Sequence, residues 1–424
     1  MPSHVPAALA PLPPMSSIAA GPRPASRMTP AERRATACLA GVSGLRMLGL
    51  FIVLPVLALY AASLPGGQDP AMIGIAIGAY GLTQAILQIP FGWASDRFGR
   101  KPAIAAGLVV FAAGSFVAAW APGIGWLVAG RAIQGAGAVS AAVMALAADL
   151  TRDEVRTRTM AAIGITIGAT FTISLVVGPA LAGVIGVPGI FSLTGLLALC
   201  AIAVVTWGVP DPVAPAPVAD DPSRRRRVLA DRQLLRLDFG VFVLHAIMAA
   251  LFLQVPFALR DAGIEPARHW TVYLPVLFVA VAVVLPLFRA VDRPGRTRIV
   301  LSSAIGSLVV SLLILAAAGS SLPALVAGLV VFFAAFTLLE AWLPSMVSRF
   351  APREARGTAI GVYSGMQFLG MFAGAAAGGL LLKHVGPGAV HLAGAALALL
   401  WLLAGATMSD SPVPSETSTP TGRT

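Results

Sequence analysis

Gly92-Trp93-Ala94-Ser95-Asp96-Arg97-Phe98-Gly99-Arg100-Lys101 joins two long apolar stretches, and the reading of the whole chain turns on it. Gly92 offers a surface on which two helices approach closely, and Gly99 lets the chain turn within a few residues. Arg97, Arg100 and Lys101 form a basic cluster of the kind that holds a loop on the cytoplasmic side of a membrane. Asp96 and Arg100 stand near enough in sequence to pair. A carboxylate at that depth is also placed to meet the N-terminus of a neighbouring helix. That interaction is worth about 0.3–1 kcal/mol when exposed and ~2 kcal/mol when partly buried, so it breaks and re-forms readily.

The chain on either side is 57% apolar and only 11% charged over 424 residues, against roughly a quarter charged in soluble domains. A bilayer-crossing helix takes about 20 mainly apolar residues. Breaks at Pro, Gly and charge delimit twelve such spans: residues 36–62, 71–95, 101–121, 124–150, 157–185, 188–209, 236–261, 269–291, 297–318, 322–350, 353–382 and 387–408. The fold class expected is an all-α membrane protein with twelve transmembrane helices in two pseudo-symmetric six-helix bundles, 29–209 and 236–408. Residues 210–235, with the run Arg224–Arg227, read as a cytoplasmic linker. Residues 1–28 read as a disordered tail, lacking the apolar core of a secretory signal, and 409–424 as a C-terminal tail.

A formal charge of +11 raises nucleic acid as a partner, but its distribution argues for topology instead. With both termini cytoplasmic, 24 of the 29 Lys and Arg residues fall on the inner side, against three (Arg260, Arg268 and Lys383) in the outer loops. That bias follows the positive-inside rule. No aromatic residues interleave with the charges as base-stacking surfaces require, so no nucleic-acid partner is expected. Trp120, Trp126 and Trp270 fall near outer ends and Trp93 and Trp207 near inner ends, as an interfacial belt requires. The location read from this is a bacterial inner membrane, crossed many times.

An internal repeat supports two halves. Asp96-Arg97-Phe98-Gly99-Arg100 recurs as Asp292-Arg293-Pro294-Gly295-Arg296, and Gly178-Pro179 with Ala182-Gly183 meets Gly374-Ala375 with Gly378-Gly379, both at an offset of 196 residues. Repeats of this type build transporters whose substrate site lies near the membrane midplane at the repeat interface.

Ionisable residues inside spans cost at least ~2.5–3.5 kcal/mol each at mid-bilayer and mark function by default. Glu340 lies within the tenth span with Phe336 and Phe333 one and two turns before it, and gaining or losing a proton there is a physically available switch. The plainer alternative is a protonated Glu340 bonded to a neighbouring helix. His245 is the histidine well inside a span and away from loop ends; it reads either as a proton carrier or as a satisfied interior group. Arg131 and Arg46 are read as facing the cavity, Arg131 alternatively as a helix brace and Arg46 alternatively as snorkelling to the interface. Tyr80, Gln84 and Gln88 recur every four residues, as do Tyr363 and Gln367. Such stripes line a path or make interhelical hydrogen bonds of about 0.6–2 kcal/mol each. Pro55 and Pro179 are expected to bend their helices, and Gly178 and Gly183 to allow close packing.

Gly92 to Lys101 resembles, without a mismatch, the signature loop of the major facilitator superfamily, Gly-x-x-x-Asp-Arg-x-Gly-Arg-Lys. Three further segments are similar to its twelve-helix drug:proton antiporter branch: Leu48-Gly49 with Pro55-Val56; Leu127, Arg131, Gln134-Gly135 and Gly137; and Gly178-Pro179-Ala180-Leu181-Ala182-Gly183, where Ala182 and Ser174 stand at positions the exporter pattern gives to Gly. Within that branch the likeness is to YajR-type exporters. The resemblance implies two bundles that rock about a central cavity. It implies that Asp96 docks at the start of helix 11 and that Arg100 pairs with Asp149, latching an outward-open state. It also implies that Arg131 speeds proton release.

No Gly-x-x-x-x-Gly-Lys-Ser/Thr phosphate loop, nucleophile-base pair or His/Cys cluster is read, and Cys38 and Cys200 sit alone in apolar stretches. An enzyme, an ATP-driven pump, a cofactor and a metal are therefore not expected. The function expected is a secondary active transporter, acting as a monomer, that exports small hydrophobic or amphiphilic compounds by proton antiport through Glu340 and His245. The alternative is a proton-coupled exporter of one metabolite, such as a sugar or amino-acid derivative, whose anionic group meets Arg131 or Arg46.

Overall fold

The computed structural model describes residues 27–211, 229–291, 297–352 and 355–405. Both tails, most of the linker and the repeated Asp292–Arg296 segment lie outside the described residues. Hydrocarbon offers the backbone no hydrogen-bond partner, so each crossing must be a helix. The described chain forms α1 (Pro30–Phe51), α2 (Leu54–Ser63), α3 (Pro70–Phe98), α4 (Arg100–Ala119), α5 (Ile124–Ala136), α6 (Ser140–Asp149), α7 (Asp153–Ala203), α8 (Arg232–Asp261), α9 (Trp270–Val291), α10 (Thr297–Ala318), α11 (Leu322–Phe350), α12 (Arg356–His384) and α13 (Pro387–Gly405).

Helices and crossings do not correspond one to one. The first crossing is α1 plus α2, interrupted at Ile52-Val53 just before Pro55, and the fourth is α5 plus α6, interrupted at Gly137–Val139. Conversely, the 51 residues of α7 would run to about 77 Å at 1.5 Å per residue, far more than the ~30 Å core. The chain reverses inside it at Gly186, whose φ of 69° and ψ of 170° are non-helical. Contacts show the reversal. Thr36 bonds Thr159 at 2.9 Å, Gly44 meets Thr166, and Gly178 meets Ile52, so the first arm runs parallel to the opening crossing. Past Gly186, Thr194 lies against Gly49 and Gly208 against Cys38, so the second arm runs antiparallel. Spans five and six therefore join at Gly186, and twelve crossings result. Helical hydrogen bonding continues through Pro179, so the break falls at Gly186 and not at that proline.

Capping explains where helices start. Thr29 and Glu32 form a reciprocal box at α1, Asp69 accepts from Ala71 N at α3, and Asp231 accepts from Gln233 N and Leu234 N at α8. Glu32 also binds Arg152 at 2.8 Å, tying the start of α1 to the start of α7. Gly99 takes φ 97° between α3 and α4, a conformation that favours glycine, so that α4 begins one residue after α3 ends.

The 196-residue repeat is visible in the packing. Gly178 lies against the Ile52 carbonyl of the first crossing, and Gly374 against the Ala246 carbonyl of the seventh. Gly183 meets Ala267, while Gly379 meets Pro70 and Ala71. The second of these pairings joins α1–α7 to α8–α13 symmetrically, each glycine touching the chain just before the other set's second crossing.

The joins between the two sets gather at the end of the molecule away from the Gly92–Lys101 loop. There Gly74, Gly78 and Gly81 of α3 press against Ala375, Phe372 and Phe368 of α12, backbone to backbone. Lys383 bonds Asp69 at 2.8 Å across the same seam. Toward the loop end the sets diverge: around Gly357, Gly361 and Gly365 of α12, and Gly164 and Gly168 of α7, a side chain would meet open space. Gly92 itself has only ordinary contact, with Ala141 Cβ 3.8 Å from where its own Cβ would be, so the close approach expected there is not made in this conformation.

Gly74→Val places a side chain against the Ala375 carbonyl and is expected to destabilise the protein by about 1–3 kcal/mol. Gly361→Val, which meets open space, should change stability by less than ~0.5 kcal/mol. Melting curves of the two purified variants in detergent check the contrast.

Candidate functional site

Two polar networks lie among the helices, one in each set. In the first, Arg46 of α1 is 3% exposed. It donates from Nη1 to Ser140 Oγ at 2.6 Å, and from Nη2 to Tyr80 Oη at 2.8 Å and Gln84 Oε1 at 2.6 Å. Gln84 passes the chain on, donating to Gln88 Oε1 at 2.9 Å. The four-residue spacing of Tyr80, Gln84 and Gln88 thus serves an interhelical network, with Arg46 as its hub. Snorkelling of Arg46 is overturned, because three neutral acceptors inside the bundle replace the water it would otherwise reach.

Arg131 of α5 is 1% exposed. Its Nη1 donates to Gln134 Oε1 at 2.9 Å, Gln134 donates to Ser115 Oγ at 2.7 Å, and its Cζ sits 5.0 Å from the centre of the Tyr80 ring. Tyr80 therefore stands between the two guanidinium groups, its hydroxyl serving one and its ring face the other. Neither arginine has a carboxylate within ion-pair distance among the described residues, and Arg46 Nε and Arg131 Nε and Nη2 have no hydrogen-bond partner there.

The second network runs through α8, α11 and α12. His245 Nδ1 lies 3.1 Å from the Val241 carbonyl, which assigns the proton to Nδ1 and leaves Nε2 to accept from Gln367 Nε2 at 2.8 Å. Gln367 also donates to Glu340 Oε1 at 3.4 Å, and Glu340 Oε2 lies 3.6 Å from His245 Nε2. Protonation of His245 puts a second N–H where Gln367 now donates; Gln367 must turn, and Glu340 Oε2 becomes the acceptor. The triad thus has the donors and acceptors to re-pair on gain of one proton. The Glu340 side chain is 36% exposed, although its Oε2 is buried and has no hydrogen-bond partner among the described residues.

Aromatic rings close the region between the networks. Phe336 packs 5.9 Å from His245, 5.8 Å from Phe332 and 5.6 Å from Phe171 of α7, and Phe171 in turn contacts Phe51 at 5.1 Å and Phe252 at 6.5 Å. Tyr80 meets Phe368 of α12 at 6.1 Å.

The loop residues lie at one end, away from these networks. Arg100 is bonded to Asp149 at 3.0 Å, to Ser95 at 2.8 Å and to Asp96. Lys101 pairs with Asp211 at 2.7 Å, and Arg97 lies 5.6 Å from the Trp93 ring. Asp96 is 63% exposed and turned to Arg100, not docked on α12. The Arg100–Asp149 pair stays within α1–α7, so it joins nothing across the two sets. Both facts go with the divergence of the helices at this end.

Asp238 was not anticipated as a site residue. It is 6% exposed and lies two turns before His245 on α8. Its seven-residue spacing from His245 is the sequence signal that marks the shared face. Asp69–Lys383 joins residues 314 apart, a separation no local pattern signals. Lys383 holds the Asp69 carboxyl below its ordinary range, so this seam contact is present at neutral pH and is lost as the pH falls below that range.

The chain matches the family model described as Major Facilitator Superfamily over residues 39–288 and 237–423. It is 44% identical over 389 residues to the inner membrane transport protein YajR of Escherichia coli K12, covering 91% of this chain and 86% of that one. It is 27% identical over 356 residues to the multidrug resistance protein MdtH of Aeromonas hydrophila, covering 81% and 84%. The crystal structure of the human organic anion transporter MFSD10 superposes with a TM-score of 0.67 at 19% identity, covering 89% of this chain and all of that one. This last likeness concerns the fold.

Tyr80→Phe keeps the ring under Arg131 but removes an acceptor from Arg46. It should destabilise the purified protein by about 1.5–3 kcal/mol, the range for a hydrogen bond to a charged group, as read by denaturant unfolding in detergent.

Proposed function

The chain belongs to the major facilitator superfamily, whose members are transporters and not enzymes, and on that footing we propose that it is a proton-coupled exporter of small amphiphilic compounds. The observation that carries this reading is the His245–Gln367–Glu340 triad, a group with the donors and acceptors to re-pair on gain of one proton, set against the Phe336–Phe171 aromatic wall that joins the two sets of helices. The relatives include a multidrug resistance protein, which supports efflux of drug-like molecules.

With both termini cytoplasmic, the Gly92–Lys101 loop is inside and the conformation is inward-open: closed by Gly74–Ala375 and Asp69–Lys383 outside, parted at Gly361 and Gly365 inside. The two bundles, 29–209 and 236–408, then exchange these states by rocking. Substrate enters from the cytoplasm and contacts the aromatic wall. Protonation of Glu340 from outside and its release inside bias the return, His245 and Gln367 re-pairing at each change. Asp96 leaves Arg100 for the start of α12 as the inner side closes, which gives the exposed carboxylate its role. Asp238, facing the same side of α8 as His245, extends the proton path toward the cytoplasm.

Efflux-deficient bacteria expressing the chain should accumulate less of at least one compound in a panel of fluorescent amphiphiles of either charge. The effect should vanish with a protonophore and fall at least about tenfold in Glu340→Gln at equal expression, as expected for loss of a transport step. Accumulation equal to empty vector across the panel would sink the reading and turn the search to a single metabolite.

A further inference from the structure

We propose that Arg46 binds the anionic head of the transported compound, so that the substrates are amphiphilic organic monoanions, carboxylates above all. This rests on reading the space between the bundles as the transport path. Arg46 lines a cavity of about 30 Å³ together with Ser43 and Ser140, in walls otherwise apolar, among them Val42, Met47, Val143 and Ile167. That volume suits a head group. The body of the molecule extends past Ile163 and Ile167 toward the open space that borders Gly164 and Gly168 on the same helix.

Charge decides the sign of the ligand. Two guanidinium groups, 3% and 1% exposed, lie on either side of Tyr80 with only neutral side chains as hydrogen-bond partners. A buried charge without a counter-charge is unfavourable unless something completes it, and an anion completes this one. A cation would meet two like charges in a medium of low dielectric. Arg131 is walled off behind Tyr80 and adds field without touching the ligand.

Donor count decides the head group. Three of the five N–H donors of Arg46 go to Ser140, Tyr80 and Gln84, which leaves Nε–H and one Nη1–H. Ser140 accepts from Nη1 through its oxygen, so its own O–H remains to donate. Three donors, two of them on the cation, suit the two oxygens and single charge of a carboxylate; a phosphate dianion brings three oxygens and up to twice the charge. The acidic residues Glu340 and Asp238 stand in the other bundle, so the two walls of the path carry opposite charges and an anion is bound on the first.

The test is equilibrium calorimetry on the purified full chain in an uncharged maltoside detergent at fixed pH, with octanoate, octylammonium and octanol as probes below their micelle-forming concentrations. Octanoate should bind at least about tenfold more tightly than octanol, and octylammonium should not displace it. Arg46→Gln should weaken octanoate at least about tenfold, and Arg46→Lys, which keeps the charge but loses the fork, by less. Melting curves identify variants that fail to fold, in which case the charge preference of the wild type alone decides. Octylammonium binding as well as octanoate, no octanoate binding, or an unchanged affinity in folded Arg46→Gln would overturn the proposal. Binding is read without a proton gradient, so failure here is distinct from failure of proton-driven efflux.

Discussion

The close approach of α3 and α12 through Gly74, Gly78 and Gly81 is the contact on which the rest of the arrangement depends. In a bilayer no hydrophobic force draws helices together, since lipid tails are as apolar as leucine; what remains is van der Waals contact, which demands small residues and near-touching backbones. That seam sits at one end, so the two sets of helices are hinged there and part at the other. Everything of functional interest lies along the gap so produced: the arginine hub on one wall, the Glu340 triad on the other, and the Phe171–Phe336 contact where the walls meet.

The two walls use buried polarity differently. Arg46 and Arg131 are held by neutral acceptors and by the Tyr80 ring, with three of their six nitrogens left without a partner among the described residues. His245, Gln367 and Glu340 form a network whose proposed role is to re-pair as a proton comes and goes. A rigid cationic wall facing a switchable acidic wall is a workable division between holding a ligand and coupling its release to protons. Among the described residues no ion pair joins Arg46 or Arg131 to Glu340 across the gap; such a pair would lock the bundles together.

Much of this was legible beforehand, for identifiable reasons. The twelve crossings, the turn near residue 186 and the repeat at 196 all express the length of apolar helix a bilayer accepts, and length is a one-dimensional property. The stripes Tyr80/Gln84/Gln88 and Tyr363/Gln367 were visible as periodicity, but whether they lined a path or bonded helices was open until Arg46 was seen to reach Tyr80 and Gln84. Position along a span does not tell a snorkelling arginine from a buried one; only the surrounding side chains do.

The sequence by itself determined the class of the molecule, the number of its crossings and their grouping into repeated halves, because hydrocarbon imposes helices and the repeat copies them. Tertiary structure alone decided which polar groups share a network and which end of the pore is shut. Those depend on contacts such as Asp69 with Lys383 and Gly379 with Pro70, between residues more than 300 positions apart. The same residues permit the opposite opening as well, so the pattern of glycines marks where helices can touch, and the packing selects which of those contacts is made.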